Sequence, residues 1–228
     1  MGSGNSGSIK PPGGGTREPG FGVLTPSDRD RILQALTECC AEYGYQGTST
    51  ARVVERAKVT REAFDLLFAD KEACALAALN QLASEVLTTA ATAGRSDSNE
   101  LERALAGLRA VLELLSTQPA YAYLGAVEAR QGGTERMRYT YQASLHLISV
   151  MIGRAHIAAG SASPPRATRA ALGGAEALVR HEVVSGRVRE LPRRLPGLVY
   201  GALAPLVGQA EALRLASVAS GPAPGGDE

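Results

Sequence analysis

The stretch Thr48–Lys71, TSTARVVERAKVTREAFDLLFADK, holds two short amphipathic segments, Thr50–Ala57 and Thr60–Phe68, with only Lys58 and Val59 between them. In the first, Val53, Val54 and Ala57 recur at helical spacing; in the second, Ala63, Phe64, Leu67 and Phe68 do the same. Helices this short cannot lie antiparallel across so tight a turn. The spacing therefore predicts a steep crossing, the shape of a helix-turn-helix. Thr60 stands where it caps the second helix, which leaves Arg61 and Glu62 projecting from the first turn, the part of a recognition helix that meets base edges in a major groove.

Upstream, Ser27 is placed to cap a helix over about Asp28–Tyr43, whose Ile32, Leu33, Leu36, Cys40 and Tyr43 fall on one stripe. Gly44 and Gly47 stop it and free the backbone to turn into the motif. Downstream, Asp70 caps a long helix over roughly Lys71–Ala93, ending at Gly94 and a polar loop. The first helix is the scaffold on which the two short ones pack, and the long one joins this head to all that follows.

This stretch resembles the DNA-binding motif of TetR-family transcriptional regulators. The matching pieces are Thr-Ser-Thr before the first short helix, Val53 and Val54 within it, the Ala57-Lys58-Val59-Thr60 turn, Phe64, Phe68 and the closing Lys71-Glu72. The resemblance implies base contacts from the second short helix, with Arg61 foremost, and a phosphate contact from Lys71. Three positions depart from the pattern: Lys58 stands where a glycine is common, Glu62 where a small residue is common, and Asp65 where a phosphate-binding tyrosine is common. It further implies that Lys71–Ala93 acts as a lever between head and body.

Beyond the head the periodicity predicts helices over about Asn99–Ser116, Pro119–Arg130, Glu135–Ala159, Ala167–Ser185, Pro196–Leu206 and Gln209–Ala219. Pro119 suits a first turn, Gly132-Gly133 ends its helix, Thr134 caps the next, and Pro205 is expected to kink or end the helix that contains it. Ser161–Pro165 and Gly186–Leu195 read as loops. The run from Gln118-Pro119 to Gly133, and the stretch Gly173–Gly208, resemble the regulatory domain of an actinobacterial-type TetR subgroup; that implies a dimer interface on the closing helix pair, at Leu178, His181, Leu198 and Leu203. The expected organisation is a disordered Gly/Ser/Pro-rich tail over 1–25, a head over 26–70, a helical ligand-binding and dimerisation body over 71–220, and a disordered tail over 221–228.

Composition narrows the class. The chain has 228 residues, 44% of them hydrophobic, enough for a core, and its long periodic segments are rich in Ala and Leu with no strand-like alternation between hairpin signals, so the fold reads as all-α. A formal net charge of +1 excludes a basic nucleic-acid coat, and Thr48–Lys71 itself carries five basic residues against four acidic ones. DNA recognition must therefore come from local geometry. Three cysteines, Cys39, Cys40 and Cys74, without a signal-peptide pattern, point to a reducing cytoplasm, and no apolar run reaches membrane-spanning length.

Arg61 is the leading base-reading side chain, because a guanidinium binds guanine O6 and N7 with two hydrogen bonds. Glu62 can accept from cytosine N4. Thr50 and Lys71, each at a helix start, suit phosphate contacts, and Arg52 and Thr60 are counted with them as DNA-binding residues. Tyr121, Tyr123, Met137, Tyr139, Tyr141, His146 and Met151 gather the polar aromatics and sulfurs on two middle helices; core packing accounts for each one singly, and together they mark the expected pocket for a small hydrophobic or amphipathic ligand. His146, His156 and His181 lack metal-ligand spacing, so neither metal nor cofactor is expected. Cys39-Cys40 reads as a packed, inert pair. No phosphate loop, nucleophile elbow or catalytic carboxylate pair is present, and nothing points to an enzyme. The sequence thus reads as a ligand-responsive regulator, a repressor binding a palindromic operator in double-stranded DNA as a homodimer. The other reading is a ligand-binding dimer that has lost operator binding and acts through protein partners.

Overall fold

The computed structural model describes residues 26–93, 100–158, 165–207 and 209–220. Both expected tails, the 94–98 loop and most of the 161–165 loop lie outside them. Every regular element among the described residues is helical: α1 (Pro26–Gly47), α2 (Thr50–Ala57), α3 (Arg61–Leu67), α4 (Lys71–Thr92), α5 (Glu100–Thr117), α6 (Pro119–Tyr123), a π-helix (Leu124–Gly132), α7 (Glu135–Ala158), α8 (Pro165–Val184), a 3₁₀-helix (Val188–Arg194), α9 (Leu195–Val207) and α10 (Gln209–Ser220). None is long and apolar enough to cross a membrane.

The head forms as its caps dictate. The Ser49 hydroxyl accepts the Arg52 N–H, Thr60 accepts that of Ala63 at 3.2 Å, and Asp70 accepts that of Ala73 at 2.7 Å, so α2, α3 and α4 each start on a side-chain cap. Helix α2 ends at Lys58, whose φ of 54° and ψ of 45° place it in the left-handed region. That conformation explains why glycine is common there, since a Cβ costs roughly 1–2 kcal/mol in it. Lys58→Gly should accordingly raise stability by about 1 kcal/mol, read as a higher denaturant midpoint at unchanged slope.

α1 begins at Pro26, one residue ahead of the expected cap at Ser27, and runs past Gly44 to Gly47. Gly44 kinks it with φ 70° and ψ 163°, a conformation almost confined to glycine. Ile32, Leu33, Leu36 and Cys40 are fully buried as the stripe requires, but Tyr43 is 43% exposed. Its ring lies outside the head, where the Arg52 guanidinium stacks 4.4 Å from its centroid.

Two apolar clusters make the core. The first joins Ile32, Leu36, Val53, Phe64 and Phe68 of the head to Cys74, Ala75, Ala78 and Leu79 of α4, and continues into Leu124, Ala129 and Met137 of the body. The second packs Leu112, Ala122, Val183, Leu191, Leu195, Leu198, Val199 and Leu215. Arg109 ties α5 to the last turn of α10 by donating to the Ala219 carbonyl at 2.7 Å.

Three elements depart from the expected pattern. The helix opened by Pro119 turns into a π-helix after Tyr123, the expected loop 186–195 contains a 3₁₀-helix, and α9 runs through Pro205 to Val207.

Candidate nucleic-acid interface and ligand cavity

Helix α3 is held from beneath and open above. Phe64 is fully buried, with its ring centroid 5.6 Å from that of Phe68, and this anchor leaves Arg61, Glu62, Asp65 and Leu66 facing outward, Leu66 at 67% exposure. Arg61 and Asp65 lie one helical turn apart, and the Arg61 Nε donates to both Asp65 carboxylate oxygens at 2.9 Å. This pair raises the guanidinium pKa, first through the hydrogen bond and then through the carboxylate charge. The fork uses Nε, so the terminal nitrogens of Arg61 keep the two-donor edge that guanine requires.

The other expected DNA-binding residues divide. Thr60 holds the α3 N-terminus through its oxygen lone pair, which leaves the hydroxyl proton to donate. Thr50 is half-buried at the first residue of α2. Arg52 is engaged within the head, donating through Nη1 to the Gly47 carbonyl at 2.6 Å while stacked on Tyr43. Lys71 points inward: its Nζ donates to the carbonyls of Tyr45 and Thr48, both at 2.8 Å, and lies 4.1 Å from the Tyr45 ring centroid. Lys71 is thus a staple between α4 and the hinge before α2. Lys71→Met keeps the aliphatic stem and removes the donors; it should cost about 1.5–3 kcal/mol in chemical denaturation, the scale for hydrogen bonds to a charged group.

The residues expected around a ligand are not all brought together. Met137 is fully buried in the first core cluster, Tyr121 and Tyr141 pack half-buried against that cluster, His146 is exposed on α7, and the Met151 side chain lies outside the described residues. The Tyr141 hydroxyl donates to Glu176 at 3.1 Å, and Arg130 pairs with the same carboxylate oxygen. Only Tyr123 lines the described cavity, a solvent-open space of about 600 Å³ between α1 and the body. Its walls are Glu38, Ala41 and Glu42 of α1, Pro119 and Ala120 of α6, and Val183 with the segment Gly186–Glu190.

At the expected dimer face, Leu198 belongs to the second core cluster, because α9 turns it inward, and Leu178 packs half-buried beside it. His181 is exposed with its Nε2 3.1 Å from an Arg187 nitrogen, and the Leu203 side chain lies outside the described residues.

Sequence reasoning missed Glu128. This carboxylate is 5% exposed on the π-helix, and its Oε2 accepts the backbone N–H of Tyr45 at 3.1 Å. An acid inside the apolar run Leu124–Ala129 was the available signal, since such a group is buried only with a partner.

Comparison with known proteins agrees with this geometry. Residues 32–78 match the family model described as bacterial regulatory proteins, tetR family. No match was found among curated proteins. Among solved structures, the fatty acid degradation regulator FadR from Bacillus halodurans superposes with a TM-score of 0.66 at 17% identity, covering 81% of this chain and 98% of its own. FadR from Bacillus subtilis, solved in complex with stearoyl-CoA, gives 0.65 at 16% identity, covering 78% and 98%. A gamma-butyrolactone receptor described as ArpA-like gives 0.59 at 20% identity, covering 85% and 96%. With the helix-turn-helix, its caps and its aromatic anchor in place, the chain carries the head of the tetR family of bacterial regulatory proteins on a TetR-like, all-helical fold.

Proposed function

We propose that the chain is a ligand-responsive transcriptional regulator, a repressor that works in the cytoplasm and binds a palindromic operator as a homodimer. The head, residues 26–70, reads DNA; the body, 71–220, binds ligand and dimerises. The observation that carries this reading is α3 itself, capped by Thr60, anchored by Phe64, and presenting Arg61 and Glu62 on an open face.

One helix-turn-helix makes too few contacts for specific binding, so two heads must sit about one DNA turn, roughly 34–36 Å, apart. The outward face of α8 suits the pairing: Gly173, Ala177, His181 and Val184 are exposed, and a Cβ at Gly173, Gly174, Gly197 or Gly201 would meet nothing within 4 Å. The ligand is small and hydrophobic or amphipathic. Two of the similar structures are named for, or hold, such molecules.

Selection from a random duplex pool, with light scattering on the same protein, tests the reading. The expected result is a dimer at micromolar concentration that enriches a palindrome. A monomer defeats the assembly, and enrichment of no duplex defeats DNA recognition.

A further inference from the structure

We propose that Glu128 is the residue through which the body positions the DNA-reading head, by holding the hinge at Tyr45 from which α2 and α3 hang; the proposal rests on the DNA reading above.

Tyr45 follows the kink at Gly44 and precedes the cap of α2 by four residues. Both of its backbone groups are held. Glu128 of the π-helix takes the N–H at 3.1 Å, and Lys71, the first residue of α4, takes the carbonyl at 2.8 Å. A second tie runs beside them, from the Gln46 side-chain amide to the Gly132 carbonyl at 3.0 Å. The hinge is therefore set jointly by the lever helix and by the body.

The surroundings of Glu128 are shaped around its carboxylate. A Cβ at Gly132 would lie 1.9 Å from Oε2, and a Cβ at Gly44 would lie 3.6 Å from Oε1. Glycine at 132 leaves the room that the carboxylate occupies, whereas a Cβ at Gly44 would make only an ordinary contact. Burying a carboxylate is costly unless its oxygens are hydrogen-bonded, and an apolar residue would fill the run Leu124–Ala129 at no such cost. What the carboxylate supplies, and an apolar residue cannot, is an acceptor for the Tyr45 N–H.

The π-helix sets the direction of this side chain. Its i→i+5 winding departs from the regular turn of about 100° per residue of an α-helix, and in it Glu128 faces Tyr45. Tyr123, the last residue before the π-helix, lines the cavity on one side and faces Glu128 on the other: burial first, then the Glu128 carboxylate, push its phenol up. A molecule in the cavity thus acts on Tyr123, two residues of contact from the hinge.

The test uses the full chain with Glu128→Ala, Glu128→Gln and Gly132→Ala, read by hydrogen exchange at the Tyr45 amide and by fluorescence anisotropy on the selected operator. Glu128→Ala should speed Tyr45 exchange tenfold or more and weaken operator binding about tenfold, the scale of one hydrogen bond to a charged group. Glu128→Gln, whose amide oxygen accepts the same N–H, should keep most of both. Gly132→Ala keeps the carboxylate but places a methyl where Oε2 sits, so it should behave as Glu128→Ala does, and it carries the test if that variant fails to fold. Unchanged Tyr45 exchange in Gly132→Ala, operator binding that is unchanged or tighter, or a Glu128→Gln variant as impaired as Glu128→Ala overturns the proposal. If the wild-type chain binds no duplex, the DNA reading falls by itself, and the exchange rates alone decide whether Glu128 holds the hinge.

Discussion

Phe64→Ala is expected to unfold the head. The side chain is wholly enclosed, and removing a buried phenyl ring costs about 3–5 kcal/mol through lost transfer energy and the cavity left behind. Domains of this size are stable by only about 5–15 kcal/mol, so one residue accounts for a large share. The ring also joins elements that differ in strength: α3 has seven residues and no stability of its own, whereas α1 and α4 have twenty-two each. Loss of the ring should therefore free α3 before α1. Thermal melting followed by circular dichroism, with amide exchange on α3, checks this; a midpoint within two degrees of wild type would mean that α3 is held by other contacts.

The second large effect concerns Arg61 and its partner. Arg61→Ala should cost about 1–3 kcal/mol of preference for the operator over a scrambled duplex, because both guanine-directed donors vanish. Asp65→Asn acts in the other direction. It removes an acid from the DNA-facing side while its oxygen still accepts from Arg61 Nε, so affinity should rise for every duplex, most at low salt where phosphate interactions are least screened. Anisotropy titrations at two salt concentrations separate the two effects. A loss of preference for the operator, with affinity for the scrambled duplex level or raised, would show that Asp65 works by orienting Arg61, and no change on either duplex would mean that it faces away from DNA.

The head was legible because its signals are local. Thr60 and Asp70 cap the helices that follow them, and Phe64 and Phe68 repeat at one helical turn, so pattern and structure coincide there. Tyr43 continued the α1 stripe only on the assumption of a regular helix; Gly44 breaks the turn beside it, and Arg52 stacks on the ring from outside. The body was less legible for two physical reasons. Helix α9, LPGLVYGALAPLV, is apolar nearly all round, so nothing in its pattern tells a core-facing Leu198 from one facing a second subunit. A π-helix has no 3.6-residue period to recognise, and the acceptor role of Glu128 depends on a backbone group 83 residues away.

All three cysteines sit in the first core cluster, inaccessible to solvent. Burial pushes the thiols of Cys40 and Cys74 up to about 12 and raises that of Cys39 as well, so at neutral pH none offers a thiolate. The folded chain is thus inert to alkylating reagents, and each adduct formed records an opening of the head or of the helix that carries it. The protein comes with its own stopwatch: at reagent concentrations where alkylation outpaces reclosing, the rate at which maleimide adds mass reads the lifetime of the closed head, and any ligand or duplex that steadies the head will slow that clock.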